Sequence, residues 1–436
     1  MDFPESDPER LTVLYVQQWL SEQGFLSALK ALEKDSGIVY DETKLNEGAK
    51  LMQLVWRDME AVLAADVDDA AAERLAEEER LLRGGCEDYV SEIATCLEGV
   101  HPSSVTCVRI WPGRDVLLTG SGGGHVRLMD FEADVKWECK VGTGGVLCLD
   151  LVEISNDIGR LAYLLAVGSM DGSVSILQPE RGEILASNRA HSKYVVRVLW
   201  AKSDAEGGSN GHLVLVTASH DQSVGVFSWE STEASGTELR SSAEPTAQIG
   251  GEVHTLVEIK KVPYMTPVQD ILLMPDGHTL VVAVKAAHCL RLLDIHKIKD
   301  LGDERLINMN EAGDNHISFT ARHLALSPDG KYLLVSTDTA RLLILRTCDW
   351  SVLRSLFATS EQFHNPVATW HRDSFYVYVA TTTAEVWAFH VGSGKVVSKL
   401  AAHKINVRDM NYDASRNLLA TCSFDKSVRI FRSTGH

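Results

Sequence analysis

Sixteen histidines and eight cysteines give the chain ample donors for metal or acid–base chemistry, but their spacing supports neither. No HExxH, His-x-His or Cys/His cluster with zinc spacing occurs, so neither a metal nor a cofactor is expected. The cysteines form no CxxC pair, and several lie inside apolar runs, as Cys107 does in SVTCVRI and Cys148 in VLCLDL. They read as small buried hydrophobes of a reducing compartment, the cytoplasm or nucleus. Gly120–Ser121–Gly122–Gly123–Gly124 is glycine-rich but lies between two strand-like runs, with no Lys-Ser/Thr after it. A phosphate cradle must open a helix, so this is a permissive turn. His364 and His371, seven apart, read as loop and strand residues. Nothing positive points to an enzyme.

Charge narrows the partners. Residues 1–92 hold 22 acidic and 9 basic side chains, and the rest 38 and 33, for a net charge of −18. An acidic chain without a basic stripe is a poor match for a phosphate backbone, which is bound by displacing counterions. Direct nucleic-acid binding is not expected. No apolar run approaches the roughly 20 residues of a membrane span, so no membrane insertion is expected either. The acidic opening MDFPESDPER lacks a secretory signal's layout.

Two kinds of element must position whatever function remains. The spacing of Leu11, Tyr15 and Trp19, with Val16 and Leu20 beside them, predicts an amphipathic helix that Gly24 stops. Phe25, Ala28, Leu29 and Leu32 predict a second helix ending at Gly37. Helices this short are marginal alone, so their apolar faces need a partner. Residues 45–84 predict a further helical spacer or short coiled coil, interrupted by Asp66, Asp68 and Asp69. From about residue 88 the period becomes two. Seven strand–turn–strand copies, beginning with VLLTGSGGGHVRLMD at 116–130 and ending with NLLATCSFDKSVRIF at 417–431, recur every forty to fifty residues. A short strand precedes each copy, and Pro275–Asp276–Gly277 and Pro328–Asp329–Gly330 make turns between strands. Residues 203–212 and 230–245 read as polar loops. This layout predicts a mainly β fold, a seven-bladed propeller over 88–433. The chain ends after the inner strands of the last copy, so the strand expected at 88–97 would complete that blade and close the ring.

These residues carry two resemblances. Val16–Gln17–Gln18–Trp19–Leu20, Gly24–Phe25 and the stretch to Gly37 resemble the LisH motif over residues 8–38. That likeness implies homodimerisation through Val16, Trp19, Leu20, Phe25, Leu29 and Leu32. The seven copies resemble WD repeats, most clearly at Ala402–His403 and Ser423–Phe424–Asp425. By position the resemblance implies a buried hydrogen-bond network of His191, Ser219 and Asp221 in blade 3, and of His403, Ser423 and Asp425 in blade 7. Only Ser169 and Asp171 match in blade 2, and only His101 in blade 1. The layout is similar to that of the lissencephaly protein, with a divergent propeller, and implies a non-enzymatic dimeric scaffold that binds other proteins. The binding face would carry the residue between Ser and Asp of each good copy, Met170, His220 and Phe424, joined by Tyr194 and Asn406. The same layout occurs in ubiquitin-ligase subunits, so a substrate receptor or core subunit of such a complex is the alternative. Against a cullin-type receptor, Met129–Asp130–Phe131–Glu132 and Leu293–Asp294–Ile295–His296 lack Arg at the fourth place.

Overall fold

The computed structural model describes residues 8–41, 51–52, 54–55, 72–155, 161–203, 212–233, 248–249, 252–296, 304–311, 313–358 and 367–434. The chain divides into two compact units, Met1–Arg80 and Leu81–His436.

In the first unit, α1 spans Pro8–Glu22 and α2 spans Leu26–Ser36. Gly37 adopts the left-handed conformation (φ 67°) and its N–H donates to Glu33 O, which closes α2. Trp19 and Phe25 pack with ring centres 5.8 Å apart, and Gln17 Nε2 donates to Ile38 O at 2.7 Å. Within the expected dimerisation set, Val16, Trp19, Leu20 and Leu32 are half-buried. Leu29 is not exposed as that reading supposed, because it is buried within the chain. Phe25 (52 % exposed) and Leu26 (59 %) are open at the turn between the helices, and Leu11 and Val39 are also exposed. Of the spacer, residues 51–52, 54–55 and 72–83 are helical; the question of a coiled coil falls on residues outside those described.

The second unit is a seven-bladed propeller, mainly β. Its sheets are antiparallel meanders whose strands are lettered here a to d from the central channel outward. Blade 1 covers residues 105–140, blade 2 146–188, blade 3 195–263, blade 4 268–308, blade 5 321–357, blade 6 368–401 and blade 7 407–432. Blade 3 adds a fifth strand, Gln248–Ile249, and its c strand runs to Glu233, so part of the loop expected at 230–245 is strand. The rest of that loop and residues 204–211 lie outside the described residues.

Alternation explains where the core sits. One face of each sheet meets the next blade, and the buried apolar residues fall into seven clusters, one per blade–blade contact. Trp111, Leu118 and Val126 of blade 1, for example, pack on Leu149 and Leu165 of blade 2.

The ring closes with the chain's early strand. Glu92–Leu97 pairs antiparallel with Val428–Arg432 as strand d of blade 7, with Ile93 opposite Phe431 and Leu97 opposite Val428. The approach to it is also fixed. Leu81 is buried with Tyr332, Trp370 and Phe389, His390 Nε2 meets Gly84 O at 3.0 Å, and Val90 N donates to the Tyr378 hydroxyl at 2.9 Å.

Six a strands break register at one place. The irregularities fall between Val105 and Cys107, Val146 and Cys148, Val195 and Arg197, Val268 and Asp270, Ala321 and His323, and Val407 and Asp409. A bulge re-aims side chains. Here it sends both the bulged residue and its successor toward the channel in blades 2, 3, 4, 5 and 7.

Candidate protein-binding face

The bc turns and the starts of the a strands share one face of the ring, called here the entry face. In blade 7, His403 Nδ1 lies 3.2 Å from Asp425 Oδ2 and 2.9 Å from Ser427 Oγ, while Nε2 lies 2.8 Å from Thr421 Oγ1. Asp425 also accepts Lys404 N at 3.0 Å and the Ser427 hydroxyl at 2.6 Å. Blade 3 repeats this with His191, Asp221, Ser223 and Thr217, and adds Lys261 Nζ at 3.3 Å from Asp221.

Ser219 and Ser423 have a different part from the one expected. Neither hydroxyl touches its imidazole. Ser423 Oγ donates to Ile405 O and Asn406 O and accepts Asp425 N; Ser219 does the same with Lys193 O, Tyr194 O and Asp221 N. The serines tie the turn to strand a, and the flanking hydroxyls of the b and c strands hold the histidine. Burial opposes ionisation of Asp221, but bonds from Ser223 and Ser192 N, with His191, hold its carboxyl below the usual range. Burial outweighs Asp221 at His191 and lowers its pKa.

Blades 1 and 2 keep half the arrangement each. Asp171 has no histidine and instead accepts Thr143 N, Gly144 N and the Thr143 and Ser173 hydroxyls. His101 meets Thr119 Oγ1 at 2.9 Å, but Gly123 stands where Asp221 does in blade 3, and Nδ1 has no partner. Burial pushes the His101 pKa down to about 4.

The turn uses both serine and aspartate in blades 3 and 7 and the aspartate in blade 2, and the residue between them faces outward. Met170 is 53 % exposed and Phe424 43 % exposed. His220 is half-buried and stacks on Tyr194 at 4.5 Å, and Asn406 is exposed. Ile405, beside Asn406, is also open. The structure thus brings Tyr194 and His220 into one stack and leaves Met170 and Phe424 on blades 2 and 7.

A channel runs down from this face, forming a cavity of about 200 Å³. The charges inside it were missed by sequence reasoning. Arg197 pairs with Asp270 through two bonds of 2.6 and 2.8 Å, and Arg109 with Asp409 at 2.7 Å. The acids also staple neighbouring blades: Asp409 accepts Val108 N, Asp270 accepts Leu324 N and Asp150 accepts Trp200 N. Burial pushes the Asp150 carboxyl up to about 6. The signal was available, since Arg197, Asp270, His323 and Asp409 share one place in aligned apolar strands.

Among the described residues, Cys86, Asp88 and Asp373 place metal-type donor atoms within 4.8 Å of one another. Arg372 pairs with Asp88 and His371 with Asp373 (2.8 Å), each through one carboxylate oxygen, while Asp88 Oδ1 and Asp373 Oδ2 are buried without a hydrogen bond. His371 is buried, with Nε2 3.6 Å from Asp88 Oδ1.

Fold and network together define the class: the second unit is a β-propeller carrying WD40 repeats. The profile of the family described as "WD domain, G-beta repeat" matches residues 94–130 and 394–432, which take in strands a to c of blades 1 and 7 with residues of the d strand before each. The chain is also similar to "Protein hir1" of Aspergillus terreus (strain NIH 2624 / FGSC A1156), 26 % identical over 161 residues. The match covers 37 % of this chain and 15 % of that protein. Among the described residues, no helix is long and apolar enough to cross a membrane.

Proposed function

We propose that the protein is a non-enzymatic, dimeric scaffold that holds partner proteins on the entry face of its propeller. The exposure of Met170 and Phe424 carries this reading. The turn bonds Asp171 in blade 2 and both Ser423 and Asp425 in blade 7, and makes no use of the side chain between. Large apolar side chains placed there are suited to anchor a partner. The buried charges of the channel have a structural use as blade staples, which leaves them no evident catalytic task.

Dimerisation rests on the N-terminal hairpin and its likeness to the LisH motif. Phe25 and Leu26 leave an apolar edge that a second copy would cover. Light scattering at micromolar concentration is expected to give twice the chain mass, and Phe25→Ser with Leu26→Ser the single mass. A single mass for the unaltered chain removes the dimer from the proposal. For the entry face, Met170→Ser, Tyr194→Ser and Phe424→Ser are combined, with an unchanged Tm as the control. Each true anchor contributes about 1–3 kcal/mol to binding. Full retention of every co-purifying protein by the folded triple variant refutes this placement of the site.

A further inference from the structure

The mouth of the channel is cationic in a chain whose net charge is −18. Arg322 and Arg408 are bulged residues of blades 5 and 7, and both line the cavity with Tyr194 and His220. Lys193 and Lys285 stand close enough, with Arg322, to act electrostatically on His220. Three of these four cations, Lys193, Lys285 and Arg408, have no side-chain hydrogen bond or ion pair among the described residues. Arg322 donates to Gln269 Oε1 at 2.6 Å, and Gln269 Nε2 lies 3.2 Å from His220 Nε2. Its nearest acid is Asp338 at 3.9 Å, and its Nε is buried without a partner.

The deeper arginines differ. Arg109 and Arg197 are neutralised by Asp409 and Asp270 at 2.7 and 2.6 Å. Like charges gathered at one mouth repel unless an anion joins them, and a guanidinium with free donors offers a carboxylate or phosphate a planar fork.

We infer that the channel mouth receives an anionic side chain of a partner peptide, a carboxylate or a phosphate monoester, gripped by Arg322 and Arg408. This rests on the entry-face reading above and names the chemistry of its partner. A peptide fits better than a nucleic acid because Met170, Phe424 and Ile405 put open apolar side chains on the same face. A polyanion would also have to approach an acidic chain.

The test uses the immobilised full chain and pools of short peptides with random flanks and a fixed central serine, glutamate or phosphoserine, at physiological ionic strength. The glutamate or the phosphoserine pool is expected to be retained about tenfold above the serine pool, the scale of one charge-assisted hydrogen bond. The stronger of the two identifies the source of the anion. Arg322→Gln with Arg408→Gln should level the pools. Should loss of the Gln269 bond unfold that variant, Arg408→Gln alone must show the drop, since Arg408 holds no fold contact of this kind. Equal retention of all pools, including none, overturns the inference. So does a preference that survives the Arg408 change, or stronger retention of a uridine oligonucleotide than of phosphoserine peptides. Met170→Ser with Phe424→Ser should weaken every pool and leave the ratio intact. Level pools that still weaken in that variant defeat the anion site alone; an intact ratio without weakening defeats the apolar anchors alone.

Discussion

Blades 3 and 7 hold a full histidine–aspartate pair beneath the entry face, whereas blade 1 has the histidine without its acid and blade 2 the acid without its histidine. All four bc turns nonetheless fold alike. Blades 3 and 7 on one side and blade 2 on the other satisfy the same turn carboxylate in two ways. In blade 2 the backbone loops in at Thr143 and Gly144 and supplies N–H groups where a ring would stand. In blade 1 nothing replaces the acid, and an imidazole nitrogen stays orphaned. Ser219 and Ser423 bond strand a, Ser121 bonds His125, and Ser169 Oγ is buried without a partner, so the turn does not depend on one fixed set of side chains. That is why the residue between serine and aspartate is open to other use.

The largest effect should come from breaking blade 7 itself, whose full network leans on a borrowed strand. A chain beginning at His101 lacks strand d of that blade, exposes the 428–432 edge and should lose its cooperative melt. A chain beginning at Leu81 should melt like the full protein's second unit, and one beginning at Gly85 should fall between them because Leu81 leaves its cluster. Equal melting of the His101 and Leu81 chains would sink the closure account.

Next in size is the acid itself. Asp221→Ala strands His191, Ser192 N and Lys261 together, and should lower stability by about 3 kcal/mol. Asp171→Ala releases only neutral donors, of which Thr143 is open to water, and should lower it by about 1–2 kcal/mol. Denaturant titration measures both, and a reversed order would break the comparison.

A smaller change should repair blade 1. A Cβ on Gly123 would meet the rotatable Ser103 hydroxyl 3.0 Å away and His125 Nδ1 at 3.4 Å. Gly123→Asp places a carboxylate toward His101 and should add about 1 kcal/mol at neutral pH. It should also flatten the acid response. Folded His101 stays neutral down to about pH 4, while the unfolded chain takes up a proton from its ordinary value of 6.5. Acidification between those values therefore favours unfolding. An acid beside the ring raises the folded value and shrinks that window. Melting curves at pH 7 and pH 5 should converge in the variant, and an unchanged gap would show that no pair forms.

Much of this was legible in the sequence because it is periodic. Alternating apolar runs and Ser-x-Asp turns mark the b and c strands, and the a strands precede them at even spacing. The closing strand was legible from a shortage, one strand too few at the end. What escaped notice depends on register. A bulge is invisible to a period-two reading, so nothing there singles out Arg322 and Arg408, which the bulge turns into the channel. The hydroxyl partners were placed by position at Ser219 and Ser423, whereas the imidazoles bond Thr217 and Thr421 two residues earlier and Ser223 and Ser427 two residues after the aspartate.

The proposed function turns on where a partner sits. Hydrogen–deuterium exchange of the full chain with and without a captured partner addresses it without altering any residue. Protection is predicted at the turns around Met170, His220 and Phe424 and at the a-strand starts near Tyr194 and Asn406. The turns of the opposite face, at Pro275–Asp276–Gly277 and around His371, should exchange unchanged. Protection confined to those opposite turns or to α1 and α2, with the entry face unaffected, would contradict the account.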